Sequence, residues 1–192
     1  MYVVVGKRAF DLALALLLAV PALFLCILCV VAIRLERTGP AIFRQIRVGR
    51  HKRPFVLYKL RTMSLDTGDR ASHEVAASQI TRSGRFLRRT KLDELPQLLN
   101  VLLGEMSFVG PRPCLPSQHE LIAERAERGV FRVRPGITGP AQLQGIDMST
   151  PRRLAEVDAA YAKNPTLLGD LESILHTAVG RGSGDAVKGE RG

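Results

Sequence analysis

The most apolar part of the chain is residues 12–33, a run of 22 residues without a charged side chain. As one α-helix this run would extend ~33 Å, which matches the ~30 Å hydrocarbon core of a bilayer. Pro21 lies in its middle, where proline removes a backbone hydrogen bond and clashes with the preceding turn. The pattern therefore predicts a membrane helix that is kinked or broken at Pro21.

Basic residues flank the apolar run on both sides. Lys7 and Arg8 precede it, and the arginines that follow it are Arg34, Arg37, Arg44, Arg47 and Arg50. Because cytoplasmic flanks of membrane segments are rich in Lys and Arg, we expect both ends on the cytoplasmic side, with Pro21 as the hinge of a re-entrant helix. The sequence leaves three alternatives open: a spanning anchor, a buried core helix and a cleaved signal peptide. Asp11 and the length of the run are atypical of a signal peptide.

Residues 42–62 predict a β-hairpin. Apolar and polar side chains alternate at positions 45–48 and again at 56–61, and a basic turn at 49–54 separates the two runs. The period of two places Lys59 and Arg61 on one face, ~6.6 Å apart, a spacing that suits adjacent phosphate groups. A solvated basic face is the alternative interpretation.

A helix is expected around the leucines that accompany the acidic pair Asp93 and Glu94. Residues 64–80 are polar and predict a loop, and the leucines that then recur at helical spacing are Leu95, Leu98, Leu99 and Leu102. Since proline is tolerated only in the first turn of a helix, Pro96 predicts that this helix begins close to Asp93. Gly104 predicts its end. The acidic pair would then lie at a helix N-terminus, where the helix dipole stabilises negative charge.

Three more helices are predicted in the C-terminal half of the chain. Ser117 and Glu120 have the spacing of a capping box, which predicts a helix that ends at Gly129. Thr150 precedes a proline and opens a second helix. Residues 167–179 form a third, amphipathic one.

Together these elements predict an α+β chain that is mainly helical. Residues 1–36 would form the re-entrant membrane helix broken at Pro21. Residues 37–180 would form a cytoplasmic domain with a small β-hairpin and amphipathic interfacial helices. The glycine-rich residues 181–192 predict a flexible tail.

The net charge of +10 is concentrated in one segment that follows the apolar run. Residues 34–91 contain 15 Lys or Arg and 4 Asp or Glu. Such a basic segment is typical of proteins that contact an anionic membrane surface or a phosphorylated substrate. Because only 5% of the residues are aromatic, the chain offers few stacking platforms, and nucleic acid is not expected as a partner.

Cysteine and histidine give no sign of a redox or metal site. The three cysteines, Cys26, Cys29 and Cys114, are predicted to be unpaired thiols. The four histidines lack metal-ligand spacing, and the sequence contains neither an HExxH motif nor a nucleophile elbow. The absence of these motifs argues against a zinc site and against a hydrolase.

The residues with the clearest chemistry lie in KLDELPQLLN (residues 91–100) and GEMSFVGPRP (residues 104–113). The acidic pair Asp93 and Glu94, Arg112 in a proline-rich loop, and a group of upstream arginines are predicted to surround one pocket. The upstream arginines are Arg85, Arg88 and Arg89. An ordinary charge cluster at the start of a helix is the alternative interpretation.

Several motifs, taken in order, resemble those of the small monotopic phosphoglycosyl transferases. These are bacterial sugar transferases that load a phosphosugar onto polyprenol phosphate. The motifs are KRAFD from Lys7, FRQIRVG from Phe43, YKLRTM from Tyr58, LDELPQLLN, VGPRP, and RPGITG from Arg134. The resemblance covers nearly the whole chain and implies a re-entrant membrane helix broken at Pro21. The chain departs from the family at Pro140, where an aromatic residue is usual.

The resemblance also implies a catalytic mechanism. Asp93 would attack the β-phosphorus of a UDP-sugar, release UMP and form an aspartyl phosphosugar, which polyprenol phosphate then accepts. Mg²⁺ is the implied cofactor, with Asp93 and Glu94 as its ligands. A carboxylate is a weak nucleophile, so the charge of the diphosphate must be neutralised. The substrate-binding residues implied for this are Lys59, Arg61, Arg88 and Arg112.

The implied setting is the cytoplasmic face of a bacterial inner membrane, where the enzyme would initiate assembly of a glycoconjugate. UDP-sugar, polyprenol phosphate and the anionic phospholipid membrane are the expected partners, and a homodimer is one oligomeric state that stays open. The competing hypothesis is a non-catalytic, membrane-anchored module whose basic hairpin binds anionic lipid or nucleic acid.

Overall fold

The computed structural model describes residues 6–36, 39–64 and 79–180. The predicted tail at 181–192 and most of the predicted loop at 64–80 lie outside these ranges. The helices are α1 (Lys7–Leu35), α2 (Arg82–Thr90), α3 (Gln97–Leu103), α4 (His119–Glu127), α5 (Pro140–Leu143), α6 (Pro151–Lys163) and α7 (Leu167–Ala178). The strands are β1 (Ile42–Val48), β2 (Pro54–Leu60), β3 (Ser107–Val109) and β4 (Gly136–Thr138). The mainly helical α+β class and the hairpin are confirmed.

The apolar run forms α1, which is helical throughout its 29 residues and includes Pro21. The predicted break at Pro21 is therefore not confirmed. A single proline removes one backbone hydrogen bond, and the Ala- and Leu-rich residues around it have high helix propensity, so the neighbouring turns keep their bonds.

Within the described residues, α1 is the one helix whose length and composition would allow it to cross a membrane. Core helices of soluble proteins and signal sequences meet the same two criteria. Only 17% of its most apolar window is buried, which argues against the core-helix alternative. Its buried positions, Lys7, Asp11, Ala15, Ala22 and Ile33, form one stripe along the helix. The other faces of α1 carry exposed leucine, valine and phenylalanine side chains.

The N-terminal end of α1 is anchored by buried polar contacts. Lys7 Nζ lies 2.6 Å from Asp170 Oδ2 in α7. Asp11 Oδ1 accepts hydrogen bonds from Ser107 Oγ (2.9 Å) and from the backbone N–H of Phe108 (3.1 Å). These contacts join α1 to α7 and β3.

The C-terminal end of α1 contacts the same domain. Ile33 is fully buried in a cluster with Leu60 and Leu87. Just beyond the helix, the Glu36 carboxylate accepts hydrogen bonds from the backbone N–H and the hydroxyl of Ser83, both 2.8 Å long. Both ends of α1 are therefore attached to one folded unit.

The hairpin pairs β1 with β2 in antiparallel register, and Phe43 lies opposite Lys59. The buried face is not the apolar one in β1. Gln45 and Arg47 are 4% and 7% exposed, whereas Ile46 is 56% exposed. Arg47 is tolerated inside because its guanidinium donates to buried acceptors, including Pro113 O at 2.9 Å. Sequence alternation finds the two faces of the hairpin, and packing decides which of them is covered.

A parallel pairing of β3 with β4 was not anticipated from the sequence. It brings the VGPRP and RPGITG motifs side by side through the bonds Gly110 N–H to Thr138 O and Gly136 N–H to Pro111 O, each 2.9 Å long. A Cβ on Gly136 would lie 2.1 Å from the Gly110 nitrogen, so only glycine permits this approach.

Most of the predicted helix boundaries hold, but the predicted start of α3 close to Asp93 does not. α3 begins at Gln97, four residues later, so the acidic pair lies in a 3₁₀ turn before this helix and not at its N-terminus. α3 ends before Gly104, which has φ +83°, and Gly129 follows α4 with φ +70°. α6 follows Thr150 as expected. The capping box at Ser117 is wrong, because α4 begins at His119 and its cap, Gln118, instead accepts a hydrogen bond from Leu115 N–H.

A buried ion pair joins α4 to α6. Arg125 Nε and Nη2 donate to Asp158 Oδ2 at 2.9 and 2.6 Å, and the two side chains are 2% and 3% exposed. Arg125 Nη1 also donates to the backbone carbonyl of Arg112 at 2.8 Å. The pair therefore supports the loop that carries Arg112.

We predict that Asp158→Asn lowers the free energy of unfolding by ~3 to 5 kcal/mol, because it leaves the Arg125 charge buried without a counter-charge. Thermal unfolding of the detergent-solubilised chain measures this. The control is Glu156→Gln, which removes the exposed pair with Arg152 and should cost less than ~1 kcal/mol. Equal losses in the two variants would contradict a structural role for the buried pair.

Candidate active site

The acidic pair lies in a short reversal of the chain between α2 and α3. Lys91 ends α2 in the left-handed region at φ 57°, and a 3₁₀ turn, Leu92–Glu94, follows it. Pro96 then occupies the cap position of α3, where its missing N–H costs no helical hydrogen bond. Asp93 is only 6% exposed, so this turn holds a largely buried carboxylate.

Two predicted cations meet on one carboxylate oxygen of Glu94. Lys59 Nζ lies 3.1 Å and Arg112 Nη2 3.3 Å from Glu94 Oε1. The three side chains are largely buried, with 8%, 16% and 11% of their surface exposed for Lys59, Arg112 and Glu94. The hairpin, the 3₁₀ turn and the VGPRP loop thus converge as the sequence predicts.

Lys91 is a site residue that the sequence reasoning missed. Burial lowers the pKa of its ammonium group below the ordinary lysine value, Arg112 lowers it further, and Glu94 partly offsets both. Its place two residues before Asp93 was the available signal. With Lys59 and Arg112 it gives three cations against the two carboxylates of the acidic pair, an excess that favours an anionic ligand.

The remaining predicted cations are placed less directly. Arg88 lies in the last turn of α2, one turn before Lys91. Arg61 Nε donates to Pro40 O at 2.7 Å, and its guanidinium lies 5.7 Å from the centre of the Phe43 ring. The described contacts do not join Arg61 to Glu94, so its role in substrate binding stays a prediction, as does that of Arg88.

An apolar groove opens beside the acidic turn, with a volume of about 300 Å³. Lys91 and Glu94 provide its charged lining. Its apolar walls come from α1, α3, β3, β4 and α7, and they include Leu18, Ala22, Leu98, Phe108, Ile137 and Ile174. The site can receive a molecule with a charged head and an apolar chain.

The donor set is small for a protein metal site. In residues 6–36, 39–64 and 79–180, no group of three or more His, Cys, Asp or Glu side chains could hold a metal ion. Asp93 and Glu94 together supply two carboxylates. Mg²⁺ is commonly bound by one or two carboxylates, several waters and the phosphates of a substrate, so the pair fits that mode.

Comparison with known proteins gives a family for the chain. Residues 2–181 match the family model described as bacterial sugar transferase. The chain is 37% identical to the uncharacterized sugar transferase EpsL of Bacillus subtilis (strain 168), over 89% of this chain and 84% of the relative. It is 41% identical to the UDP-glucose:undecaprenyl-phosphate glucose-1-phosphate transferase of Caulobacter vibrioides, over 89% of this chain and 67% of that protein. The Escherichia coli K12 protein of the same name is 37% identical, over 89% of this chain and 39% of its own length.

We predict that Lys91 controls the alkaline limb of the pH profile of kcat/KM. Because its pKa is lowered, the ammonium loses its proton at a lower pH than an ordinary lysine, and a cation is lost from the site as pH rises through that value. Lys91→Arg keeps the charge to much higher pH and should move the limb upward. Lys163→Arg, at the end of α6, is the control. An alkaline limb that is unchanged in Lys91→Arg would assign the titration to another group.

Proposed function

Because the chain belongs to the bacterial sugar transferase family, we propose that it transfers a sugar 1-phosphate from a UDP-sugar to undecaprenyl phosphate, and so initiates exopolysaccharide or related glycan assembly. The observation that carries this proposal is the acidic turn, whose Glu94 contacts Lys59 and Arg112 and, with Lys91, lines an apolar groove. The names of the Caulobacter and Escherichia coli relatives describe the same donor and acceptor classes.

In the proposed reaction Asp93 is the nucleophile. One of its carboxylate oxygens attacks the β-phosphorus, the bond from that phosphorus to the bridging oxygen breaks, and UMP leaves with the bonding electrons. The sugar 1-phosphate is then held as an acyl phosphate on Asp93. A phosphate oxygen of undecaprenyl phosphate attacks the same phosphorus and releases the carboxylate, so both steps balance. The 3₁₀ turn supports this role because it fixes the orientation of Asp93.

The cations around Glu94 have two roles in this mechanism. Lys59 and Arg112 hold the Glu94 carboxylate through its Oε1, and in the proposed mechanism the positive charge of both side chains acts on the substrate phosphates. Lowering the negative charge of the diphosphate reduces its repulsion of an incoming carboxylate. Charge-assisted hydrogen bonds of this kind contribute ~1.5 to 3 kcal/mol each.

Mg²⁺ is the cofactor that we assign to the acidic pair. Both described hydrogen bonds to the Glu94 side chain end on Oε1. Glu94 and Asp93 are the two residues that would hold the ion. When bound, Mg²⁺ would neutralise charge on the substrate diphosphate.

The groove supplies a place for the acceptor lipid. Its charged end, at Lys91 and Glu94, suits the phosphate, and its apolar walls suit the polyisoprenoid chain. Leu18 and Ala22 place one wall on α1, the helix that we propose enters the membrane. The chain of the acceptor could then pass from the bilayer to the acidic turn without leaving an apolar surface.

We assign α1 a re-entrant position in the inner membrane, with the domain on the cytoplasmic face. The helix is ~43 Å long at 1.5 Å per residue, enough to cross a bilayer. Its two ends nevertheless contact the same domain, through Lys7 and Asp11 at one end and Ile33 at the other. A crossing helix would have to carry one of these ends to the opposite side, so the contacts support a helix whose two ends stay on one face of the bilayer.

Topology can be measured with introduced cysteines. In a background with Cys26, Cys29 and Cys114 replaced by alanine, Tyr2→Cys and Lys188→Cys should both resist a membrane-impermeant maleimide in intact cells and react after lysis. The same-side arrangement follows from the docking of both ends of α1. Labelling of one position in intact cells and not of the other would show that α1 spans the membrane.

The covalent mechanism predicts a burst. With UDP-sugar and Mg²⁺ but no acceptor, the enzyme should release at most one UMP per active site, and mass spectrometry should find the sugar phosphate on Asp93. Asp93→Asn keeps the size of the side chain but lacks the nucleophilic carboxylate, so it should lose both the adduct and turnover.

Two comparisons make this experiment specific. Glu94→Gln should bind substrate but react slowly, and the surface variant Glu156→Gln should behave as wild type. Full turnover in Asp93→Asn would eliminate the covalent mechanism. A lack of UMP release with any UDP-sugar, UDP-glucose first, would favour the non-catalytic membrane module.

A further inference from the structure

A second cavity, which shares no lining residue with the groove at Glu94, lies at the N-terminal end of α1. Its volume is about 260 Å³, slightly below the ~300 to 1,000 Å³ usual for ligand pockets. Four arginines line it: Arg8, Arg50, Arg132 and Arg134. The proposed reaction uses none of them.

Backbone carbonyl groups hold these arginines in place. Arg8 Nη1 and Nη2 donate to Val101 O and Leu102 O at 2.6 and 3.1 Å. The other three bonds run from Nε: Arg50 to Arg132 O (2.9 Å), Arg132 to Gly129 O (3.2 Å) and Arg134 to Gly104 O (2.8 Å). In the described residues none of the four forms an ion pair with a carboxylate. The guanidinium groups are positioned through Nε in three cases, which leaves their terminal nitrogens to contact a ligand.

The cavity has an excess of positive charge. Lys7 also lines it but is paired with Asp170 at 2.6 Å. Asp11 is the acidic side chain of the lining, and its Oδ1 already accepts from Ser107 and Phe108. Four arginines against one aspartate leave a formal charge of +3. Burial lowers the pKa of the Arg134 guanidinium, the nearby Arg50 and Arg8 lower it further, and Asp11 raises it.

The cavity borders apolar surface on two sides. Leu103 is 61% exposed and lies between Leu102 and Gly104, whose carbonyls hold Arg8 and Arg134. Pro165 lines the cavity, and Leu168, three residues later at the start of α7, is 80% exposed. Exposed leucines beside an excess of cations match the two parts of a phospholipid, its acyl chains and its anionic headgroup.

We infer that the cavity formed by Arg50, Arg132 and Arg134 binds the headgroup phosphate of an anionic phospholipid. An anion there would relieve the repulsion among the arginines and accept charge-assisted hydrogen bonds from their terminal nitrogens. The exposed leucines of α3 and α7 would lie among the lipid chains. The site would fix the height and tilt of the domain on the bilayer, independently of the chemistry at Asp93.

The test compares two variants of equal charge change. Arg50→Gln with Arg132→Gln removes two arginines of the cavity, while Arg152→Gln with Arg153→Gln removes two from the exposed surface of α6. The full chain in neutral detergent is titrated with short-chain phosphatidylglycerol and, separately, with inorganic phosphate. Binding is followed by microscale thermophoresis, and thermal unfolding without lipid checks that each variant is folded.

Phosphatidylglycerol should bind the wild type and the α6 variant with Kd values within twofold of each other, and the cavity variant at least tenfold more weakly. Inorganic phosphate should bind much more weakly than the lipid, because it lacks the apolar part. Equal weakening in both double variants would overturn the proposal in favour of general charge attraction. Equal affinity for phosphate and lipid would reduce the cavity to a simple anion site and overturn the lipid assignment. If the cavity variant unfolds, the single variant Arg50→Gln replaces it, because the Arg50 side chain is exposed. It should still weaken lipid binding several-fold, and an unchanged Kd would contradict the inference.

Discussion

The buried ion pair between Lys7 and Asp170 sets the position of the two apolar helices on which the rest of the structure depends. Asp170 is fully buried, and its second carboxylate oxygen lies 2.8 Å from the Tyr161 hydroxyl, so α1, α6 and α7 meet at one carboxylate. α1 and α7 both line the groove, through Leu18 and Ile174. If the pair were broken, an uncompensated charge would remain in an apolar environment. α1 and α7 would also lose the contact that fixes their relative positions.

The site separates charge from apolar surface over a short distance. Lys59 and Arg112 are held by Glu94, and the backbone of Arg112 is held in turn by Arg125 and its buried partner Asp158. Buried side chains anchored in this way lose little further entropy when a ligand binds, which is the physical meaning of a preorganised site. The groove begins at the same turn, so a lipid phosphate can reach these charges while its chain stays in contact with apolar walls.

The outer surface of the domain also separates charged from apolar regions. α1 and α7 expose leucine side chains, whose contact with water is unfavourable. The arginine cavity lies at the N-terminal ends of both helices. A bilayer offers apolar chains and anionic headgroups at matching depths, so one orientation of the domain satisfies both features. The orientation of the domain on the membrane and the geometry of the proposed reaction therefore depend on the same two helices.

Local patterns in the sequence were enough to predict the apolar helix, the hairpin and the end of α3 at Gly104, since periodicity, glycine and proline act on neighbouring residues. A pocket shared by Arg112 and the acidic pair was expected from their motifs, whereas Lys59 was assigned to it only through the family resemblance. Only the tertiary structure decided that Gln45 and Arg47 face inward, that α1 is helical through Pro21, that β3 pairs with β4, and that Lys91 and Arg125 serve the site. A strand pattern defines two faces but not which one is covered, because burial is set by whatever packs against it. Contacts such as Arg125 to the Arg112 carbonyl join residues through the fold, so no spacing along the chain reveals them.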